Sequence, residues 1–221
     1  AVIDALLAVI GLEGNLMLPT FNYSIPSSAP YIDPDETPCH TGIIPEMGRK
    51  RPEAVRSLHP THSVAVIGPR AEYLTHGHLA CRTLGVGSPV DRLAQMGGKV
   101  LLLGVGHVSN STIHVAEEHA GIPKASWYDA PPSVKVRMPD GSIVTHRLDT
   151  STSCSAAFGA VEGALRRYGE ICDARLGGCK MQCMLGADVI TRVCELIREK
   201  ADILLCTSNG DAQTLLKDIT L

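Results

Sequence analysis

The chain has 221 residues, 44% of them hydrophobic, and a formal net charge of −3 at neutral pH. That length and apolar content suffice for one sizeable core, so a single domain over residues 1–221 is expected. Only 4% of the residues are aromatic, which with the acidic balance argues against a surface that stacks bases or grips phosphate backbones.

No signal peptide or apolar run of spanning length occurs, the longest candidates being residues 99–105 and 201–206. A cytoplasmic protein with neither a membrane nor a nucleic acid as partner is therefore expected. Residues 1–14, AVIDALLAVIGLEG, read as a helix body with a glycine stop and no beginning, so the domain is expected to be N-terminally shortened. GNLMLPTF predicts a short buried strand ended by Pro19 and followed by Thr20. Residues 22–42 are rich in Pro, Ser and Asp and predict a long loop, of the kind that is often functional.

A short helix with a basic exit is predicted over residues 43–57, and a strand in HSVAVIG. Residues 69–89 carry a helical start and then turn chemistry. Ser88 caps a helix that begins at Pro89 and ends at glycine. The strand KVLLLGVG follows, then a helix from Asn110 or Ser111.

Two alternating runs around Pro139-Asp140-Gly141 predict a hairpin over residues 133–148. Residues 155–171 and 187–200 predict amphipathic helices, the second leading into a strand-like ADILLC. Helices alternating with apolar strands predict an α/β fold, three-layer α/β/α with a mixed β-sheet.

The eight cysteines are irregularly spaced, which favours reduced thiols in a cytosol. Cys179 and Cys183, four apart, are expected to share a helix face. Without a second pair at ligand spacing they read as small apolar residues and no metal is expected.

The chemistry-bearing stretch is GVGHVSNSTIHVAEE, residues 104–118. In open α/β sheets ligands bind where a strand end turns into a helix. Gly104 and Gly106 are expected to turn the backbone tightly there, and Asn110 or Ser111 to cap the helix. His114 and Glu117, three apart, share a helical face, so the carboxylate can orient the imidazole and balance its charge when it acts as a base. A solvated His-x-x-Glu face is the plainer account of the same spacing, and Glu118 and His119 are expected to be solvated.

RSLHPTHS, residues 56–63, is a second constellation. Arg56, Ser57, Thr61 and Ser63 offer a charge and hydroxyls of the kind that hold phosphates or a pantetheine chain, while His59 and His62 are candidate bases or ligands. The plainer account is a loop whose hydroxyls satisfy its own backbone. Cys154, at a predicted helix start, is a third candidate as an activated thiolate without an evident partner histidine.

LMLPTF, RSLHPTHSVAVIG, GSPVDRL, GGKVLLLGVG and STIHVAEE, in this order, resemble the aminoglycoside 3-N-acetyltransferase family, over nearly the whole chain. The resemblance implies transfer of an acetyl group from acetyl-CoA to an amine of an aminoglycoside. By position, the family's His-x-Ala-Glu motif falls on His114 and Glu117. Its coenzyme-side residues fall on Arg56, Ser57, His59 and Ser63, with Thr20 added from the strand end.

Acidic walls for a polycationic substrate are expected from Asp33, Asp35, Glu36 and Glu118. Another amine-bearing natural product as acceptor, a truncated coenzyme-binding domain without activity, a Cys154 acyl carrier and a zinc hydrolase using His59, His62 and Glu117 stay open as alternatives. A homodimer is compatible with the reading.

Overall fold

The computed structural model describes residues 1–22, 31–122, 133–148 and 154–204. The chain divides into two compact units, residues 1–83 with 128–149 and residues 84–127 with 150–221.

In the first unit α1, Val2–Ile10, stops at Gly11, and β1, Leu16–Pro19, follows. β3, Val64–Ile67, is the centre of a three-stranded antiparallel sheet in the order β1-β3-β2, with β2 being Val55–Arg56. All four residues of β3 are buried, which explains its unbroken apolar run where an edge strand would alternate. Pro19 ends β1 on the edge, where its missing N–H costs no ladder bond.

α2, Ile43–Arg49, and α1 pack on β1 through a core of Ile3, Leu18 and Ile67, with Leu7, Leu16, Ile44 and Ala54 around it. α3, Ala71–Thr75, leaves β3 through Gly68, whose φ of +139° suits glycine. A Cβ on Gly68 would meet the carbonyl oxygen of Gly14 at 2.4 Å and Asn15 Cα at 2.9 Å. Gly68→Ala is therefore expected to lower the urea unfolding free energy by about 2–4 kcal/mol, from strain and overpacking together.

The predicted hairpin is present as β5, Ser133–Arg137, and β6, Ile143–Arg147. Asp140 Oδ1 accepts the Ser142 N–H at 2.9 Å and Gly141 takes φ +82°, so Asp and Gly each do the turn work expected of them. Ile32 adds a lone parallel bridge to Val136.

The second unit holds α4 (Pro89–Gln95), β4 (Lys99–Leu103), α5 (Thr112–His119), α6 (Ala160–Arg167), β7 (Cys172–Leu176), β8 (Cys179–Leu185) and α7 (Gly186–Glu199). The sheet order is β4-β8-β7, antiparallel throughout. Ser88 Oγ accepts the Asp91 N–H at the start of α4, as its sequence predicts. α7 packs against α4, α5, α6 and β8, burying Val189, Ile190, Val193, Cys194 and Ile197 on one stripe.

Three expectations change. Strand pairing is antiparallel among the described strands, and the expected mixed sheet is represented only by the Ile32 bridge. Cys179 and Cys183 lie on strand β8, not on a helix. Residues 201–204 form a turn where a strand was expected, residues 205–206 lying outside the described residues. Lys200 ends α7 in extended conformation, and residues 201–204 join none of the described sheets.

Candidate active site

β4 ends at Leu103, and Gly104 reverses the chain at φ +70° while its N–H donates to the Lys180 carbonyl at 2.9 Å. Gly106 is extended at φ −100°, so only the first of the two glycines is needed for the turn. A 3₁₀ turn over His107–Ser109 follows. Asn110 Oδ1 then accepts the Thr112 N–H at 3.2 Å, and this side chain, not Ser111, caps α5.

His114 stands in the first turn of α5. Its Nδ1 lies 2.9 Å from Glu117 Oε2. An ionised carboxylate only accepts, so in this contact Nδ1 carries the proton and donates, which sets the ring's tautomer and orientation. His114 is 8% exposed and Glu117 1%, so the plainer account of a solvated face does not hold for these two.

Phe158 closes against the imidazole edge-on, centroids 4.6 Å apart. Beneath α5, Cys194 Sγ of α7 approaches the Ala116 carbonyl at 3.6 Å. His119 is exposed, as expected, and also meets Asp91 Oδ1 at 2.9 Å. Asp91 in turn accepts the Gly87 N–H at 2.7 Å, so this bond ties the end of α5 to the start of α4.

In the other unit Thr20, Arg56 and Ser63 form one hydrogen-bonded cluster. The Thr20 hydroxyl donates to the Ser63 carbonyl and the Ser63 hydroxyl to the Thr20 carbonyl, each at 2.9 Å. With both protons committed to carbonyls, both oxygens present lone pairs to Arg56 Nε, at 3.1 and 2.9 Å. Arg56 Nη1 donates to the carbonyls of Pro34 and Thr37 at 2.6 Å, and Nη2 to that of Thr20 at 2.9 Å. Burial pulls the guanidinium down to about 10, with Arg49 adding repulsion. These donors are spent on the protein's own backbone, as the plainer account of the loop proposes.

Ser57 Oγ accepts the Val64 N–H at 2.9 Å and reaches His78 Nδ1 at 2.8 Å. His78 Nε2 faces the Thr83 carbonyl at 3.1 Å. Since a carbonyl only accepts, Nε2 bears the proton and Nδ1 accepts from the serine hydroxyl.

His59 Nδ1 accepts two backbone N–H groups, Thr61 at 3.3 Å and His62 at 3.0 Å, and its ring lies 4.7 Å from that of His78. His62 and His146 stand at 6.1 and 6.0 Å from the same ring. Burial first, then His78, His62 and His146, push its pKa down to about 2.

The unfolded chain protonates an ordinary histidine near pH 6.5, whereas folded His59 does so only near 2. Its contribution to stability is therefore complete above about pH 6.5 and is lost as pH falls from there towards 2. Urea midpoints taken from pH 7 down to 4.5 are expected to fall steadily, and to fall less steeply in His59→Gln.

Of the expected acidic residues, Asp33 is engaged, Oδ1 accepting the Asp35 and Glu36 N–H groups and Oδ2 lying 3.5 Å from Arg137. Asp35 and Glu36 are exposed, and Glu118 is half-buried. Cys154 is disulfide-bonded, which corrects the reduced-thiol expectation there and removes the thiolate an acyl carrier needs. Cys39, Cys81, Cys172, Cys179, Cys183 and Cys194 carry no disulfide. Among the described residues no group of three or more His, Cys, Asp or Glu is placed to hold a metal ion, and no helix is long and apolar enough to cross a membrane.

Neither Phe158 nor His78 was marked by its sequence neighbourhood. Both reach their partners from distant positions in the chain.

An α/β chain with a buried His–Glu pair at a strand-to-helix turn defines a class that comparison with known proteins makes specific. The family model for aminoglycoside 3-N-acetyltransferase matches residues 1–197. The chain belongs to that family.

Aminoglycoside N(3)-acetyltransferase IV of Salmonella sp is 32% identical over 166 residues, 74% of this chain and 60% of that protein. Aminoglycoside N(3)-acetyltransferase III of Salmonella sp is 42% identical over 92 residues, 41% of this chain and 32% of its own length. The chain thus spans less than two thirds of these curated relatives. A crystal structure of a histidine-to-alanine mutant of aminoglycoside acetyltransferase AAC(3)-IVa in complex with gentamicin C1A superposes with a TM-score of 0.81 at 26% identity, covering 98% of this chain and 82% of that one.

Proposed function

We propose that the protein transfers an acetyl group from acetyl-CoA to the 3-amino group of an aminoglycoside antibiotic, with His114 as general base and Glu117 as its supporting carboxylate. The observation that carries this reading is the buried 2.9 Å contact of His114 Nδ1 with Glu117 Oε2, within a chain whose family is named for that reaction.

An ammonium nitrogen has no lone pair with which to attack a thioester. The ammonium therefore first gives up one proton to solvent, and the neutral amine so formed must lose a second, to a base, as its bond to the acetyl carbon forms. His114 Nε2 takes that proton, and Glu117 balances the imidazolium charge at the opposite ring nitrogen. As the carbon–sulfur bond breaks, the imidazolium is placed to return the proton to the departing thiolate. The amide product carries one positive charge fewer than the amine, which weakens any recognition of the antibiotic as a polycation.

Arg56, Ser57, His59, Ser63 and Thr20 are proposed as the coenzyme-side residues. Because their side chains are bonded within the protein, their contribution is to hold the shape of the 56–63 loop, leaving contact with coenzyme to backbone groups. The two units are taken together as one acetyltransferase domain over residues 1–221, since the family match runs through both. A three-layer arrangement, a cytoplasmic location and homodimer formation belong to the same proposal.

The test is mass spectrometry of a mixed aminoglycoside panel incubated with acetyl-CoA and the protein, read beside release of the coenzyme thiol. Gain of one acetyl on the 3-amine of an aminoglycoside is expected. Thiol release with acetylation only of amines outside this class would replace the acceptor. No transfer to any amine would overturn the activity.

A further inference from the structure

β7 and β8 form a hairpin across Gly177 and Gly178, with Leu176 opposite Cys179, Ala174 opposite Met181 and Cys172 opposite Cys183. Residues directly opposite in an antiparallel pair put their side chains on the same face of the sheet. Their Cα atoms lie about 4.5 or 5.5 Å apart, depending on which kind of pair they make, and both spacings fall within the span a disulfide bridges. Cys172 is exposed and Cys183 half-exposed, and both are free thiols.

We propose that Cys172 and Cys183 are a redox-responsive dithiol that small disulfides, such as oxidised glutathione, convert into a cross-strand bridge. Cys172, the more exposed sulfur, attacks the small disulfide as the thiolate, forming a mixed disulfide and expelling one thiolate, which takes up a proton. The Cys183 thiolate then attacks the Cys172 sulfur and expels the second small thiol. Two protein thiols are oxidised and one small disulfide is reduced to two thiols, so atoms and electrons balance.

Cys179 does not compete for the bridge. It sits four residues along β8 from Cys183, roughly 13 Å at the rise of a strand, and faces Leu176 across the hairpin. The pair also occupies a consequential place, because β8 runs directly into α7 and pairs on its other edge with β4, which leads to the His114 turn. Bridging therefore ties the free edge strand to the strand that carries both connections.

The cleavage sites allow a direct test on the whole protein. Trypsin places the three cysteines in separate peptides, residues 168–175, 176–180 and 181–192. After treatment with oxidised glutathione and alkylation of remaining thiols, the unreduced digest is expected to contain peptide 168–175 linked to 181–192. Dithiothreitol is expected to separate them, and Cys172→Ser to leave Cys183 unbridged. Glutathione carried separately on Cys172 and Cys183, linkage of either to peptide 176–180, or linkage between two chains would each overturn the proposal.

Discussion

Replacing His114 by alanine is expected to lower turnover with acetyl-CoA and an accepted aminoglycoside by about a hundred to ten thousand fold, the range that one positioned base supplies. The change removes the proposed acceptor for the amine proton and takes from Glu117, 1% exposed, its 2.9 Å contact with the ring.

The KM for acetyl-CoA is expected to change far less than kcat, because the imidazole is proposed to act on the amine. Glu117→Gln is expected to sit between wild type and His114→Ala: an amide oxygen can still accept from Nδ1 but cannot balance an imidazolium. The measurement is initial rate against pH for all three proteins. A His114→Ala enzyme with unchanged kcat would remove the residue from the mechanism. Equal losses at both positions, expressed in the KM for the amine and not restored by raising pH, would shift the role of the pair from proton transfer to amine binding.

Arg56→Ala is expected to destabilise the first unit by about 3–5 kcal/mol, the scale of leaving more than one buried acceptor without its donor at about 1–3 kcal/mol each. One guanidinium serves three backbone carbonyls, those of Thr20, Pro34 and Thr37, together with the hydroxyls of Thr20 and Ser63. Alanine leaves those acceptors without a donor in a space that water must enter to satisfy them. Lysine is expected to recover only a part, since an ammonium cannot span the same five acceptors from one planar fork. Chemical unfolding of the three proteins tests this. An Arg56→Ala protein as stable as wild type would show that the arginine is held there for a ligand and not for the fold.

Much of the second unit could be read along the chain because its signals are local. Ser88 and Pro89 announce α4, the run ending at Gly104 announces β4, and the i,i+3 spacing of His114 and Glu117 places them together before any tertiary contact is known. The β7–β8 hairpin was not legible for an equally physical reason. A spacing of four, as in Cys179 and Cys183, puts two residues on the same side of a helix and also on the same side of a strand.

β7 gave no apolar alternation to decide the matter, because all five of its residues are exposed. Arg56 stood out as a candidate, but three of its acceptors are backbone carbonyls, which leave no trace in residue identity. Phe158 beside His114 is likewise a contact of chain folding, 44 positions along the chain and with no shared pattern.

From Thr112 to Glu117 six consecutive residues of α5 are buried, so the helix is enclosed on every side through its first turns. A surface of that kind offers evolution almost nothing to edit: each position is already answerable to α7, to the cap at Asn110, or to the His–Glu contact. If the helix supplies the base, the chemistry and the choice of acceptor are separately inheritable. Under the proposed function, variants with an altered acceptor are expected to accumulate at exposed positions proposed to face it, such as Asp35 and Glu36, while α5 stays the same. A selection for altered amine preference, sequenced across the whole gene, would reveal that division as a cold stretch six codons long.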